Sequence, residues 1–427
     1  MLAAAISPWF TRRGIHYGWV MVALTFLTAL CSAAAVGMPG VLIVPLIKEF
    51  GWSRSDISGA MALMFILFGG MAPFAGALML RYGLRRVVAA AALLAVLALF
   101  GATMISEKWH LWLSLGLLLG MAAGTTAMVL SATVANRWFS ARRGLVVGVL
   151  AAATATGQLI FLPLAAYLVA HFGWRYAVLP GMIGCSIAAV LYMLFARDWP
   201  ADIGLAPYGE TRIQPPAAAS AGNAVSLSFS VLREAVPTRA FWVLAGTFFI
   251  CGLSSSGIVQ QHFIPLCADN GIDGVRAASF LAMMGLFNFI GTVISGWLSD
   301  RFDNRVLLAW YYGLRGVSLM WLPFSTFDVV SLSLFAIFFG LDFVATVPPT
   351  VKLAAQHFGA ARAPIVVGWV FAAHQFGGAV SAYTSGLARD AYASYLPAFF
   401  VIGAICLVAT LAIFAVRDIR VTAGKTA

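Results

Sequence analysis

Three ionisable residues lie deep inside long apolar segments of this chain. Arg315, Asp342 and His374 are each flanked on both sides by mostly hydrophobic residues. An ionisable side chain in hydrocarbon is costly unless it is paired or hydrated, and such residues are typical of ion and proton pathways. The chemistry that these residues offer is therefore ion pairing, or the binding and release of a proton.

Arg315 and Asp342 lie at similar depths in consecutive apolar segments. Each is about nine residues from the same end of its segment, which is about 13 Å at about 1.5 Å of rise per residue. Consecutive antiparallel helices usually pack together, so we predict an Arg315–Asp342 ion pair. Two roles stay open: the pair either fixes the segment near Pro348 and Pro349, or takes part in a proton or substrate relay, which requires the pair to open.

His374 begins a stripe of small and polar residues. With Gly378, Ser381 and Ser385 it follows the spacing i, i+4, i+7, i+11, which places all four residues on one helix face. Such a stripe suits close packing against another helix, and it equally suits the wall of a hydrated cavity. In the second case His374, whose ring type titrates near neutral pH, joins Asp342 as a candidate for proton coupling.

The elements that hold these residues are long enough to cross a membrane. Of 427 residues, 62% are hydrophobic and only 10% are charged, against about 25% charged in soluble domains. This composition excludes an ordinary soluble enzyme, a disordered chain and a coiled coil. Helices of about 20 apolar residues cross the hydrocarbon core, and we predict twelve of them, at 19–45, 57–80, 87–105, 111–132, 144–169, 176–196, 240–264, 277–298, 306–325, 329–351, 364–388 and 396–416.

The placement of lysine and arginine predicts the orientation of this all-α polytopic membrane protein. If both termini lie inside, the inner segments hold 18 of the 26 basic residues and the outer loops hold 6. This is the positive-inside pattern, so we expect cytoplasmic termini, and the net charge of +11 reflects topology and not nucleic-acid binding. Residues 1–17 lack the pattern of a cleaved signal peptide, which fits a multi-pass protein of the cell inner (plasma) membrane.

The chain divides into two related halves. The longest loop, 197–239, is a predicted cytoplasmic linker with a Pro/Ala/Ser-rich stretch, Pro215 to Ser220, of the kind that is flexible. It separates a six-helix bundle, 1–196, from a second bundle with a short tail, 240–427. Residues that recur at an offset of 219 or 220 relate the halves, and they are Gly76 and Gly296, Phe139 and Phe358, Arg143 and Arg362, Gly148 and Gly368, Gly157 and Gly377, and Tyr176 and Tyr395.

Over essentially its whole length the sequence resembles the major facilitator superfamily. The family's loop motif after the second helix, roughly GxxxDRxGRR, occurs twice. The residues that match it are Gly76, Arg81, Gly83, Arg85 and Arg86, with Leu80 at the acidic position, and then Gly296, Asp300, Arg301 and Arg305. The resemblance implies two pseudo-symmetric six-helix bundles that rock against each other. It also implies a conformational latch, for which the candidates are Arg81, Arg85, Asp300, Arg301 and Arg305.

Four segments are similar to the bacterial branch related to monocarboxylate transporters: EFGWSRSDIS, WFSARRG, GLDFVATVPPT and GWVFAAHQFGGA. Carboxylate-carrying members often place an arginine in the eighth helix, where this chain has Thr292, so a direct carboxylate clamp is absent there. Family architecture places the first, fourth, seventh and tenth helices around the substrate. Together with the polar stripes, this gives the substrate-binding candidates Gln260, Gln261, Asn288, Asp342, Thr346, His374 and Gln375.

The sequence carries no motif for a phosphate-binding loop, a metalloprotease or a serine hydrolase. The cysteines form no CxxC pair, and we interpret Cys31, Cys185, Cys251 and Cys406 as apolar fillers and Cys267 as a residue near a helix end. We expect no enzyme, no metal and no cofactor. The resemblance favours a secondary transporter of a small organic solute, a monocarboxylate or other organic anion, working by alternating access with Arg315, Asp342 or His374 in proton coupling.

Two alternatives stay open: a drug or metabolite exporter of the same superfamily, and a non-transporting solute sensor. The expected partners are the solute, protons and the lipid bilayer, with no nucleic acid, and we expect the protein to function as a monomer.

Overall fold

The computed structural model describes residues 2–126, 128–213, 224–359 and 362–415. This part of the chain is nearly all helical, and its only β contact is an isolated bridge between Phe139 and Tyr208. Its long helices, numbered here in chain order, are α1 (Gly18–Phe50), α2 (Arg54–Tyr82), α3 (Leu84–Thr103), α4 (Lys108–Trp138), α5 (Arg143–Phe172), α6 (Trp174–Phe195), α7 (Arg239–Asp269), α8 (Gly274–Ser299), α9 (Asn304–Trp321), α10 (Val329–Phe358), α11 (Ala363–Tyr392) and α12 (Leu396–Ala415).

The twelve predicted segments fall on these twelve helices. Within the described residues, ten of the helices are long and apolar enough to cross a membrane. The other two are α5 and α9, which overlap the predicted segments 144–169 and 306–325. The predicted all-α polytopic fold is therefore confirmed.

Equivalent helix pairs pack together in each half. In the first half α1 packs on α5, α2 on α4 and α3 on α6; in the second half α7 packs on α11, α8 on α10 and α9 on α12. The halves meet where α2 packs on α11, α5 on α8 and α1 on α7. The architecture is thus two pseudo-symmetric six-helix bundles. We call the side on which α1 begins and α12 ends the terminal face, and the other side the opposite face.

Short polar residues set where several helices begin. A side-chain oxygen at each of these positions accepts a backbone N–H of the first turn, which would otherwise lack a partner. The capping residues are Ser53 for α2, Thr238 for α7, Asp273 for α8, Asp303 for α9 and Asp328 for α10.

Interruptions inside three helices widen or break the regular turn. Helix α4 contains a π-helical stretch at Trp112–Leu118, and α7 contains one at Leu253–Gly257. Helix α10 stops at Asp342 and begins again at Val347, directly before Pro348 and Pro349. π-helical turns and proline breaks often accompany functional sites, and the last two of these interruptions lie at the candidate site.

Glycines allow α7 and α11 to approach backbone to backbone. A Cβ atom on Gly252 would lie 1.8 Å from the carbonyl oxygen of His374, and one on Gly377 would lie 2.0 Å from the carbonyl oxygen of Phe249. Small residues at such crossings are how membrane helices gain packing contacts without a hydrophobic driving force. This close crossing fixes the position of His374 against α7.

The linker contains structure on both sides of its Pro/Ala/Ser-rich stretch. Pro215 to Ser220 lie outside the described residues, but a helix at Ala224–Ala235, which we call the linker helix, follows them. Its Phe229 ring lies 5.9 Å from Phe74 of α2 and 5.6 Å from Trp369 of α11, centroid to centroid. The linker helix therefore touches both halves at the terminal face.

Candidate substrate and proton site

The predicted ion pair between Arg315 and Asp342 is present at the break in α10. Arg315 Nε donates to Asp342 Oδ2 at 2.5 Å, and the two residues are only 1% and 7% exposed. Two opposite charges removed from water are stable together only when the geometry is good and the remaining polar atoms are satisfied. Neighbouring residues form hydrogen bonds with most of the remaining polar atoms of this pair.

The other nitrogens of Arg315 hold the broken turn of α10 and a polar patch on α7. Nη2 donates to the carbonyl oxygens of Asp342 at 2.6 Å and Phe343 at 3.2 Å. Nη1 lies 2.9 Å from Cys251 Sγ and 3.3 Å from Ser254 Oγ. Carbonyl groups at an interrupted helix lack their usual backbone donors. Arg315 donates to two of these carbonyls. In the described part of the chain, Asp342 Oδ1 alone among the atoms of the pair has no partner.

Cys251 is not the apolar filler that we interpreted from the sequence. Besides the contact from Arg315, its sulfur lies 3.4 Å from Thr346 Oγ1. The thiol therefore lies between charged and hydroxyl groups on α9 and α10. Sequence spacing gave no signal for it, because cysteine is also common as a small buried apolar residue.

A small cavity lies between α5, α7, α8 and α10. The residues that line it are Leu162, Gln260, Leu281, Met284, Gly285, Asn288 and Phe343. Two predicted candidates, Gln260 and Asn288, thus share one cavity and offer their amide groups in an otherwise apolar wall. Phe343 links the cavity to the ion pair, because it lines the cavity while its carbonyl accepts an N–H of Arg315.

The other substrate-binding candidates do not line this cavity. Gln261 is fully buried, and neither of its amide atoms has a partner among the described residues. Thr346 is fully buried beside Cys251. The His374 ring stacks on Phe371, and Gln375 is 3% exposed, with its Cβ 2.8 Å from the position of a Cβ on Gly69 of α2. Of the predicted candidates, Gln260 and Asn288 are therefore the two that face the small cavity.

Thr292 is held by its neighbour on α8. Its Oγ1 donates to Asn288 Oδ1 at 3.2 Å, so the position where related carriers often have an arginine is tied to an amide that lines the cavity. The hydroxyl orients this amide, whose NH₂ group is then directed to other acceptors.

The latch candidates at the terminal face make contacts within their own halves or with the start of the linker. Asp300 accepts from Lys352 Nζ at 2.8 Å, and this ammonium lowers the pKa of the carboxyl. Arg301 lies over the Trp297 ring, and Arg305 pairs with Asp303 at 2.6 Å. In the first half, Arg81 lies over the Tyr82 ring, and the backbone N–H of Arg85 donates to Asp198 at 2.8 Å. A latch between the halves stays a prediction for these five residues.

A second charged network, which the sequence analysis missed, joins the halves at the opposite face. Arg54 of α2 contacts Asp269 of α7 at 2.6 Å and the Tyr395 hydroxyl at 3.1 Å, and Asp269 also contacts Arg389 of α11 at 2.7 Å. The Tyr395 hydroxyl lies 3.2 Å from Nδ1 of the fully buried His262. Burial raises the pKa of Tyr395 to about 12, although Arg54 opposes this, so the phenol stays neutral near neutral pH.

The comparisons with known proteins agree with this architecture. A family model described as Major Facilitator Superfamily matches residues 25–382 and also 263–426. The uncharacterized MFS-type transporter YcxA of Bacillus subtilis is 26% identical, with 93% of each chain covered, and monocarboxylate transporter 13 of Rattus norvegicus is 26% identical, with 92% of this chain and 87% of the relative covered.

Solved structures of low sequence identity share the fold. The xylose transporter XylE from E. coli, in a partially occluded inward open conformation, superposes with a TM-score of 0.70 at 15% identity over 96% of this chain and 100% of the other. A bacterial homologue of the human lysosomal transporter Spinster gives a TM-score of 0.71 at 15% identity over 94% and 98%. The twelve helices, their paired packing and the match of the family model over most of the chain show that this multi-pass membrane protein belongs to the Major Facilitator Superfamily.

Proposed function

We propose that this chain is a secondary transporter of monocarboxylates or related small organic anions, coupled to protons and working by rocker-switch alternating access. The observation that carries the proposal is the buried Arg315–Asp342 pair directly behind Phe343 of the cavity wall. The likeness to monocarboxylate transporters, at 26% identity for the rat protein, supports the solute class.

The proposed coupling follows from charge balance. With Asp342 ionised, the pair is neutral and the cavity has no net attraction for an anion. A proton on Asp342, whose Oδ1 has no partner among the described residues, leaves the guanidinium charge of Arg315 without its counter-ion. A solute carboxylate in the cavity then compensates that charge, because an unpaired charge in a medium of low dielectric constant is costly. Proton and anion are thus bound together and released together.

A second candidate function is export of a neutral or weakly polar metabolite or drug. It is favoured by the cavity lining, in which Gln260 and Asn288 are the polar residues and the other described residues are apolar or glycine. In that case the ion pair has only the structural role of holding the break in α10. A solute sensor without transport has no observation in its favour beyond the shared fold.

We further propose that the terminal face is cytoplasmic and that the protein acts as a monomer in the cell inner membrane. The excess of basic residues in the segments of that face, 18 against 6, supports this orientation. The network of Arg54, Asp269 and Tyr395 then closes the outer side of the transporter.

Uptake by the purified protein in liposomes tests the proposal with matched pairs of solutes. Each carboxylate is compared with its own amide, such as lactate with lactamide and benzoate with benzamide, under an imposed pH gradient that is acidic outside. We expect the acids to accumulate only with the gradient, and the amides not to accumulate. Equal, gradient-independent movement of acid and amide would contradict the proposal and favour the second candidate function.

A further inference from the structure

The two halves share a groove next to the opposite face. It has a volume of about 380 Å³ and lies between α2 and α4 of the first half and α11 of the second half. Sites for small ligands have volumes in this range, and no step of the proposed transport uses this groove. The residues that line it are Ser55, Asp56, Gly59, Ala62, Leu63, Ile66, Trp112 and Tyr383.

The apolar part of the groove lies on surface that faces lipid. Ile66, Trp112 and Tyr383 belong to three membrane-spanning helices, and each is between 40% and 44% exposed. Large exposed apolar side chains that line one groove mark a contact with a membrane or a partner. Gly59 lets the Trp112 ring form part of the wall, because a Cβ on Gly59 would lie 2.6 Å from Cζ2 of the indole.

The groove is polar at one end and extends over one leaflet of the bilayer. On α2, Asp56, Gly59, Leu63 and Ile66 follow the spacing i, i+3, i+7, i+10, which places them on one helix face. The ten residues from Asp56 to Ile66 rise about 15 Å, which is about half of the hydrocarbon core. The groove therefore runs from the level of the headgroups to the middle of the membrane, as one phospholipid does.

The polar end of the groove carries a positive and a negative charge side by side. Lys108 Nζ contacts Asp56 Oδ2 at 2.7 Å, and the two side chains are 51% and 34% exposed. Lys108 precedes Trp112 by four residues on α4, so it lies on the same helix face. An ammonium group has three N–H donors, and among the described residues Asp56 accepts one of those of Lys108. Both charged groups can therefore bind a headgroup as well as each other.

The charges around this end balance. An anionic headgroup therefore meets no excess of positive charge, and a headgroup with both charges is complementary to the pair. Its phosphate accepts from Lys108 and its ammonium donates to Asp56, which a primary ammonium can do and a quaternary one cannot, since it has no N–H. Hydrogen bonds and ion pairs at this end join three basic residues with three acidic ones, namely Arg54, Lys108 and Arg389 with Asp56, Asp269 and Asp390.

We propose that this groove binds one phospholipid of the leaflet on the opposite face, with a zwitterionic headgroup that carries a primary ammonium. The headgroup lies at Asp56 and Lys108, and an acyl chain lies along Leu63 and Ile66 of α2 against Trp112 of α4. The bound lipid contacts both halves. The site depends neither on the transported solute nor on proton coupling, so its test does not measure transport.

Native mass spectrometry of the purified full-length protein in detergent measures lipid binding directly. The probes are phosphatidylethanolamine, phosphatidylcholine and phosphatidylglycerol with identical acyl chains at equal concentrations. We expect phosphatidylethanolamine to bind about fivefold more tightly than phosphatidylcholine, which is the most that an exposed charged contact contributes, and more tightly than phosphatidylglycerol. Equal binding of the ethanolamine and choline lipids, or tightest binding of phosphatidylglycerol, would overturn the proposal.

Asp56→Asn tests the contact with the ammonium. The amide keeps an oxygen that can accept the backbone N–H of Ser53, as the carboxylate does, but it lacks the charge. We expect the preference for phosphatidylethanolamine to disappear, and the unpaired Lys108 to favour phosphatidylglycerol. The matched control is Glu49→Gln, which breaks a 2.7 Å ion pair with Arg175 of similar exposure outside the groove. If both variants change the lipid preference equally, the proposal is wrong.

Ala62→Trp tests the apolar part of the groove. The indole fills the space beside Leu63 and Ile66, so binding of all three lipids should fall. The control is Leu97→Trp, at a position of α3 that is 58% exposed and does not line the groove, and it should bind lipid as the unmodified protein does. Unchanged binding of phosphatidylethanolamine by Ala62→Trp would exclude the groove as the site.

Discussion

The carboxylate of Asp390, at the end of α11, accepts the backbone N–H of Ser55 at 2.8 Å, in the first turn of α2. It also accepts the N–H of Arg54 at 3.2 Å. The first N–H groups of a helix lack partners within the helix and carry partial positive charge. A residue of one half therefore caps a helix of the other half, and this contact belongs to the conformation in which the opposite face is closed.

Asp390→Ala should shift the protein toward the conformation that is open at the opposite face. An N-cap contributes about 1 kcal/mol, which is about fivefold in the ratio of two states. The measurement is labelling by a membrane-impermeant maleimide at Ser58→Cys, since Ser58 is fully buried against Gly386 of α11. The matched control is Asp273→Ala, which removes a cap of α8 within one half. Equal labelling of Ser58→Cys in the Asp390→Ala and Asp273→Ala variants would contradict the role of Asp390.

Asp342→Asn should strongly lower the melting temperature as well as remove accumulation. Breaking a buried ion pair on one side leaves an unpaired charge and costs about 3–5 kcal/mol. Replacing both partners, Arg315→Met with Asp342→Leu, should recover much of the stability, because a buried pair contributes little beyond its hydrophobic equivalent. If the double variant also recovers gradient-driven accumulation, the pair is structural and not part of the coupling.

The Asp300–Lys352 contact should not contribute to the pH dependence of transport. The Lys352 ammonium lowers the pKa of Asp300 from its ordinary value of 3.8, so its stabilising contribution is present above that pH and is lost only as the pH falls through the still lower value. Asp300→Asn should therefore leave the shape of the pH profile between neutral and mildly acidic pH unchanged. A shifted profile in uptake assays would show that Asp300 acts in coupling after all.

Gly291→Ala should destabilise the second half by overpacking. Its new Cβ would lie 1.8 Å from the carbonyl oxygen of Leu341, one residue before Asp342. Overpacking of this kind typically costs about 1–3 kcal/mol. Gly296→Ala is the matched control on the same helix, because a Cβ there meets no atom within 4 Å. Thermal unfolding in detergent measures both, and similar melting temperatures would mean that α8 and α10 separate at low cost.

The sequence predicts the Arg315–Asp342 pair because both residues interrupt apolar segments at the same number of residues from the segment end. It could not predict the contact from Asp390 to Ser55, which joins positions 335 residues apart. Charged residues are common at the ends of membrane segments, so the position of Asp390 alone does not indicate a partner. The polar contacts of Cys251 were hidden for a different reason: Arg315 and Thr346, which make them, lie on two other helices. The linker helix was missed because it is short and lies beside a Pro/Ala/Ser-rich stretch.

Phe343 lines the cavity, and its backbone carbonyl also accepts a hydrogen bond from Arg315. The size of the solute that fits the cavity and the strength of the hydrogen bond to the Arg315 guanidinium are therefore linked. A smaller residue at Phe343, or at Leu162 across the cavity, would make room for a bulkier solute. It would also change the cavity wall that contacts the Arg315 guanidinium. We expect evolved changes of substrate range in this protein to alter its energy coupling as well.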